Sequence, residues 1–415
     1  MEPRKRAEPA NGRSPIREHG QQWGEAHRYR CPGIGKLDAQ EAQRSIIEYR
    51  ILPHGGEKIG VLGLGTSVLA EAGEAAAAQT FAAAFENGIN YVDLAGGHTA
   101  LFPGLGRALK SAVAGGRDEL YFQMHFGANY LAGSEYAFSL DLGTVKHSVA
   151  WQLEQTGIEY IDFGFIHCLD SIADWNEYRE GGILEYLQDM KRQGIVHHLG
   201  FSTHTPEVAN AVLDEGIIDM LMFSINPAYD YQQGDFGYGE VAQRQALYRR
   251  CKAEGVGISV MKAFGAGQLL DAKLSPFKAA LTRNQCIQYA LDKPAVTTIV
   301  AGAKTPEEVH DLLAYFDSAP DERDYSVLST FAPAEAEGVC VYCNHCAPCP
   351  SGLNIGLINK YYDLVRAGDP MAQEHYRELG AHAGDCTSCG HCDNRCPFHV
   401  EQSARMQEIA DYFGE

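Results

Sequence analysis

The sequence predicts an α/β fold: a closed (β/α)8 TIM barrel followed by a small C-terminal module. Three observations carry that prediction. Between residues 45 and 317, short apolar runs rich in β-branched residues alternate with amphipathic helical stretches, the pattern of βα units around a parallel sheet. The chain has 415 residues, enough for a barrel of about 250 residues and a second, smaller unit. Eight of its twelve cysteines crowd together from position 340 onward.

Residues 1–44 are rich in Pro, Gly, Arg, Glu and Gln without a sustained period, and read as a flexible arm suited to docking a partner. Candidate strands then fall at 59–64, 89–93, 120–125, 161–167, 198–202, 219–224, 257–261 and 298–302. Eight strands separated by helical runs favour a closed barrel over an open sheet. The Ala-rich stretch 71–87 predicts a helix stopped by Gly88, and 144–155 predicts another with Gly157 beyond its end. Pro306, Glu307 and Glu308 open a helix after the eighth strand, where a first turn tolerates proline and favours acids. The barrel is expected to close by residue 317, and a polar linker leads into the module spanning 318–415.

Bulk composition narrows the function. Hydrophobic residues make up 45% of the chain, so a large core is available, and the net charge of −20 argues against nucleic acid or an anionic membrane as partner. No apolar run is long enough to span a bilayer, and no apolar segment follows the basic residues after Met1. The expectation is a cytoplasmic protein acting on a small molecule, with a redox protein as a further partner. Oligomeric state is not legible.

Cys340, Cys343, Cys346 and Cys349 form C-x2-C-x2-C-x2-C-P, and Cys386, Cys389, Cys392 and Cys396 form C-x2-C-x2-C-x3-C-P. Two-residue gaps let three successive thiolates face one centre, and the Cys-Pro ending is typical of [4Fe–4S] ligation. Paired four-cysteine zinc sites are the alternative, but zinc usually takes two C-x2-4-C pairs with a longer spacer. The module therefore reads as a small α-helical, ferredoxin-like iron–sulfur domain that transfers electrons singly. It resembles the two-cluster ferredoxins, in which the fourth cysteine of each motif serves the other cluster. That resemblance implies Cys340, Cys343, Cys346 and Cys396 on one cluster, and Cys386, Cys389, Cys392 and Cys349 on the other. Cys31, Cys251 and Cys286 read as ordinary thiols, whereas Cys168 adjoins His167 and can face a site.

Several barrel segments together resemble the aldo/keto reductase family, in the branch with a ferredoxin-type tail. They are Gly63-Leu-Gly-Thr66, Asn87-Gly-Ile-Asn-Tyr-Val-Asp93, Tyr160-Ile-Asp-Phe-Gly-Phe-Ile-His167, Gly194-Ile-Val-His-His-Leu-Gly-Phe-Ser202, Val260-Met-Lys-Ala-Phe-Gly-Ala-Gly267 and Ile299-Val-Ala-Gly-Ala-Lys304. The resemblance implies an oxidoreductase in which NADP(H) or NAD(H) exchanges hydride with a carbonyl or hydroxyl. An aspartate, a tyrosine, a lysine and a histidine then handle the oxygen and its proton. Asp93 falls on the aspartate and His167 on the histidine; His98 stands where the tyrosine belongs and His125 where the lysine belongs. Ser202, Gly302 and Lys304 are the implied cofactor contacts, although Thr203 replaces an expected asparagine and Met222 an expected glutamine.

Three readings of Asp93, His98, His125 and His167 stand side by side. In the first, imidazoles take over acid–base work, because they titrate near neutral pH. In the second, His98, His125 and His167 ligate a divalent metal, with His204 nearby, for a lyase, isomerase or redox step. In the third, the barrel is an electron-transfer scaffold and the histidines are core residues. His197 and His198 belong to a strand entrance and read as packing or surface residues. Tyr229, Tyr231, Phe236 and Tyr238 form an aromatic loop that either walls a ring-shaped substrate or packs on itself.

Overall fold

A computed structural model describes residues 47–69, 71, 73–112, 117–130, 136–231, 239–331, 338–340, 342, 345–366, 370–377 and 379–415. The proposed arm, Cys31, Cys343, Phe236 and Tyr238 lie outside these residues. Eight parallel strands close the barrel: β1 (Leu62–Gly65), β2 (Tyr91–Leu94), β3 (Tyr121–Phe126), β4 (Ile161–Ile166), β5 (Val196–Thr203), β6 (Met220–Ser224), β7 (Gly257–Met261) and β8 (Val296–Gly302). Each pairs with its sequence neighbours, and β8 pairs with β1 through Ile299 opposite Leu62 and Gly302 opposite Gly65.

All eight predicted strands are present, but the first run divides. Lys58–Gly60 pairs antiparallel with Tyr49–Ile51, and only the residues after Val61 enter the barrel. Val61 donates its N–H to the Glu48 carbonyl at 2.9 Å, which turns the chain at that point. Leu52 and Ile59, from this hairpin region, join Tyr91, Phe163, Phe165, Met220, Met222 and Val300 in an apolar cluster of inward residues. Packing there is tight: a Cβ on Gly200 would run into the Phe165 ring.

Helices cover the outside in the order expected of βα units. Glu74–Glu86 follows β1, and Leu142–Thr156 follows β3. The latter is capped by the Asp141 carboxylate, which accepts from the Thr144 N–H, and by left-handed Gly157. Pro306–Leu313 follows β8, with Thr305 accepting the Glu308 N–H. Beyond the barrel, helices Ile355–Arg366, Pro370–Arg377 and Gln402–Phe413 gather around a second, smaller core. The tail meets the barrel through a Lys360–Asp292 ion pair of 2.7 Å and through Phe398, whose ring centroid lies 5.6 Å from that of Tyr231. Tyr229 and Tyr231 are buried in the main core, so these two pack inward instead of walling an open site. No helix among the described residues is long and apolar enough to cross a membrane.

Candidate active site

The C-terminal ends of the strands carry the polar side chains, as barrels of this kind place their chemistry. Strand alternation puts Asp93 from β2 and both Gln123 and His125 from β3 on the inner face, and register sets Asp93 beside Gln123. His125 is 1% exposed and its Nε2 lies 2.7 Å from Asp93 Oδ1. Its Nδ1 meets Nδ1 of His167, the residue after β4, at 3.0 Å. Nε2 of His167 meets the Tyr136 hydroxyl at 2.9 Å, and Tyr136 is 41% exposed. A continuous line of four polar groups therefore runs from the barrel interior to solvent.

The line has a direction. A carboxylate only accepts, so Asp93 takes the proton on His125 Nε2. Nδ1 of neutral His125 then holds a lone pair and accepts from His167 Nδ1–H. Nε2 of His167 is left as an acceptor for the Tyr136 O–H. Gln123 fixes the inner end: its amide donates to Asp93 Oδ1 at 2.9 Å, while its Oε1 accepts from Tyr91 at 2.6 Å. Gln123 Nε2 also lies 2.9 Å from His125 Nε2 and 3.3 Å from Met222 Sδ.

The line is also held from outside. Tyr178 donates to the carbonyls of Phe126 and His167, at 2.8 and 3.0 Å, pinning the chain on either side of the two imidazoles. Gly127, at φ 107°, makes room for that hydroxyl; a Cβ there would run into it. Burial and the neighbouring His125 hold the His167 pKa well below the usual histidine range. Burial, followed by the charge of Cys168, raises that of Tyr136.

His98 is not part of this line. It is exposed, just ahead of helix Leu101–Ala112, where its carbonyl accepts the Leu101 N–H. Among the described residues no hydrogen bond joins it to His125 or His167. The group that meets His167 is Tyr136, carried on the short strand Ala137–Phe138 side of a two-stranded turn after β3. Sequence reading missed Tyr136 because nothing local marks it: it meets His167 across 31 positions of the chain. It also missed Gln123, whose alternation with His125 on β3 was the available signal.

A second polar group adjoins the first. Ser202 accepts the Cys168 N–H at 2.8 Å, so it supports the loop after β4. His204 Nδ1 lies 3.0 Å from Asp170 Oδ1, and its Nε2 lies 2.9 Å from Nζ of Lys262, just beyond β7. The three imidazoles 98, 125 and 167 do not gather as a ligand set. Among the described residues, only Cys168, Asp170 and His204 bring three possible ligand atoms within 4.8 Å of one another.

After β8, Gly302 is exposed and Lys304 Nζ is paired with Glu71 at 2.7 Å. Lys304 and Glu71 border a pocket of about 390 Å³ that also includes Thr80, Thr305 and Glu307, and Gly302 is not part of its lining. At the opposite end of the barrel, His198 is buried between Glu57 at 2.9 Å and Asp219 at 3.4 Å, while His197 is exposed and stacks on Tyr160. Cys251 and Cys286 are buried in the main core.

In the tail, Cys340, Cys346, Cys349, Cys386, Cys389, Cys392 and Cys396 form no disulfide with one another among the described residues. Tyr342 and Ser388 each stand two places after the first cysteine of their motif, and both adopt left-handed backbone, at φ 61° and 51°. The two motifs thus share left-handed backbone at this one position. Cys340 and Cys396 pack against the main core, whereas Cys346, Cys349, Cys386 and Cys392 belong to the second one.

A closed parallel eight-stranded barrel with a polar, carboxylate-anchored mouth defines a (β/α)8 barrel protein of the enzyme type. The aldo/keto reductase family model matches residues 61–285, more than half of the chain, and the chain belongs to that family. Among solved structures it is similar to the holo form of aldo-keto reductase AKR11C1 from Bacillus halodurans, with 20% identity and a TM-score of 0.54, covering 67% of this chain and 94% of that one. It is also similar to an aldo-keto reductase from Pseudomonas aeruginosa, PA4992, with 22% identity and a TM-score of 0.50, covering 65% of this chain and 93% of that one. At such identities these two bear on fold alone. No match is found among curated proteins.

Proposed function

We propose that the protein is an iron–sulfur oxidoreductase acting on a small hydroxyl- or carbonyl-bearing substrate at the barrel mouth. Asp93, His125 and His167 form its proton relay, and Tyr136 is the group that touches the substrate oxygen. One observation carries the reading: the inward-pointing line from the Tyr136 hydroxyl to the Asp93 carboxylate. A substrate hydroxyl docked on Tyr136 loses its proton to the phenol oxygen as the phenol passes its own to His167 Nε2. His167 passes its Nδ1 proton to His125, and His125 passes its Nε2 proton toward Asp93. The arrangement moves protons only: it takes one from a substrate hydroxyl, and it delivers one to a carbonyl oxygen when loaded with one more.

Residues 318–415 are the electron-transfer module in this reading. Cys340, Cys343, Cys346 and Cys396 would hold one [4Fe–4S] cluster, and Cys386, Cys389, Cys392 and Cys349 the other. Such clusters supply one-electron transfer when bound. The left-handed backbone at Tyr342 and Ser388, two places after the first cysteine of each motif, supports this assignment. The residues after β8 fit a nicotinamide cofactor's phosphate poorly. Lys304 is already neutralised by Glu71, and Glu307 and Glu308 occupy the first turn of the following helix. No step is assigned to that cofactor.

Anaerobic protein should contain about eight irons per chain, as two four-iron clusters require. A panel of small hydroxy compounds should include one that bleaches the cluster absorbance, and Tyr136→Phe should slow that bleaching by roughly 100-fold. Wild-type bleaching rates in both Tyr136→Phe and His167→Asn would overturn the relay. Iron absent after reconstitution would overturn the cluster assignment.

A further inference from the structure

Two strand ends converge beside the relay on a group to which the chemistry above gives no part. Cys168 and Asp170 lie in the loop after β4, and His204 follows β5. His204 Nδ1 approaches the two Asp170 oxygens at 3.0 and 3.2 Å, and Cys168 Sγ lies 3.5 Å from Asp170 Oδ2. Tetrahedral coordination with metal–ligand bonds of about 2.0–2.3 Å separates the ligand atoms by roughly 3.3–3.8 Å. The His204–Asp170 and Cys168–Asp170 pairs are therefore within a few tenths of an ångström of that spacing, and all three ligand atoms lie within 4.8 Å of one another.

The donors are also built into place. Asp170 Oδ1 accepts the backbone N–H of His204 at 3.0 Å, which locks the two loops together. Ser202 Oγ accepts the N–H of Cys168, and the Ser202 carbonyl accepts that of Leu169 at 2.8 Å. Cys168 adopts left-handed backbone, φ 52°, which an ordinary side chain enters only when its surroundings fix it there. One thiolate, one carboxylate and one neutral imidazole carry two negative charges, matching a divalent ion.

We propose that Cys168, Asp170 and His204 form a site for a borderline-soft divalent cation, of the zinc or ferrous class, with its fourth position open toward the barrel mouth. Mixed sulfur, nitrogen and oxygen donors select such an ion over magnesium or calcium, which prefer oxygen throughout. Binding replaces the Cys168 S–H bond with a sulfur–metal bond and releases that proton to solvent; the proton that His204 Nδ1 shares with Asp170 leaves as well, to Nε2 as Lys262 turns away. Cys168 directly follows His167 in the chain, so the site adjoins the relay. Lys262 stands on the far nitrogen of His204 at 2.9 Å and opposes a cation.

The site is independent of the relay, because metal content is read without turnover. Cluster-reconstituted full-length protein is dialysed anaerobically against Zn2+ alone, and zinc and iron per chain are measured by elemental analysis. Zinc X-ray absorption then identifies the neighbouring atoms. The expected result is about one zinc per chain, with one sulfur and several nitrogen or oxygen neighbours. Affinity should fall at least tenfold in Cys168→Ser and in His204→Gln, and rise in Lys262→Met, all with wild-type melting temperature and iron content. Absence of zinc, zinc surrounded by four sulfurs, or unchanged affinity in both ligand variants overturns the proposal. Should one ligand variant fail to fold, the other and Lys262→Met still decide it.

Discussion

His198 at the floor of the barrel and His167 at its mouth are both withdrawn from solvent by the same cylinder of strands, yet their surroundings drive them in opposite directions. Burial by itself would lower the pKa of His198, but hydrogen bonds and charge from Asp219 and Glu57 outweigh it and raise the value to about 9. Asp219 is in turn held down to about 2: burial works against ionisation, but the bonds to His198 and Lys191 prevail. The floor is a fixed ion cluster that ties the hairpin after Tyr49 to β5 and β6. Among the described residues His167 has no carboxylate bonded to it; its partners are an imidazole and a phenol. The number of carboxylates touching each ring separates the two. Two bonded acids hold His198 as a cation at neutral pH and make a brace, whereas the proposed relay needs one acid shared down a line of rings.

The sharpest way to break this comparison is to remove the mouth carboxylate. Asp93→Asn should lower turnover by roughly 10²–10⁴, the usual scale of positioned acid–base catalysis, while His198 chemistry stays untouched; a variant with wild-type rates would show that the line carries no proton. At the floor the balance should invert. Asp219→Asn breaks a largely buried ion cluster and should destabilise the fold by about 3 kcal/mol, read by chemical denaturation, with rates per folded molecule unchanged.

The pH dependence of stability offers a finer contrast. Because the folded-state pKa of His198 lies above its free value, its contribution is complete below pH 6.5 and is lost as pH rises through about 9. That loss should amount to roughly 3 kcal/mol. Asp219 contributes oppositely: its share is present above its ordinary value and is lost as pH falls through about 2. Melting temperature should therefore decline between pH 6.5 and 9 in the wild type and decline less in His198→Asn; equal slopes would remove the floor cluster as the cause. The smallest effect concerns the pocket after β8. Glu71→Gln frees Lys304, and NADPH affinity, followed by fluorescence, should rise severalfold, on the scale of one exposed ion pair.

Much of the architecture was legible because barrel strands announce themselves locally. The run 257–261 and the observed β7 coincide, and 298–302 lies within the observed β8. The break at Val61 was not legible, since apolar residues continue through it and only the carbonyl of Glu48 bends the chain. At the site, Asp93, His125 and His167 were named through the family resemblance, and they are joined by hydrogen bonds. His98 was named by counting five residues past Asp93, but loop residues do not keep a strand's alternation, and that side chain lies exposed on the rim. Tyr136, Asp170 and Lys262 escaped notice because each reaches its partner across a sequence separation of at least thirty residues.

By itself, the sequence determined the period of the βα units, the positions at which helices start and stop, and the spacing of the tail cysteines, since all of these are set by neighbours a few residues apart. Which polar side chains touch was decided only by closure of the barrel. Strands distant in the chain are brought side by side there, and a hydrogen bond forms or fails over a few tenths of an ångström that no local pattern encodes.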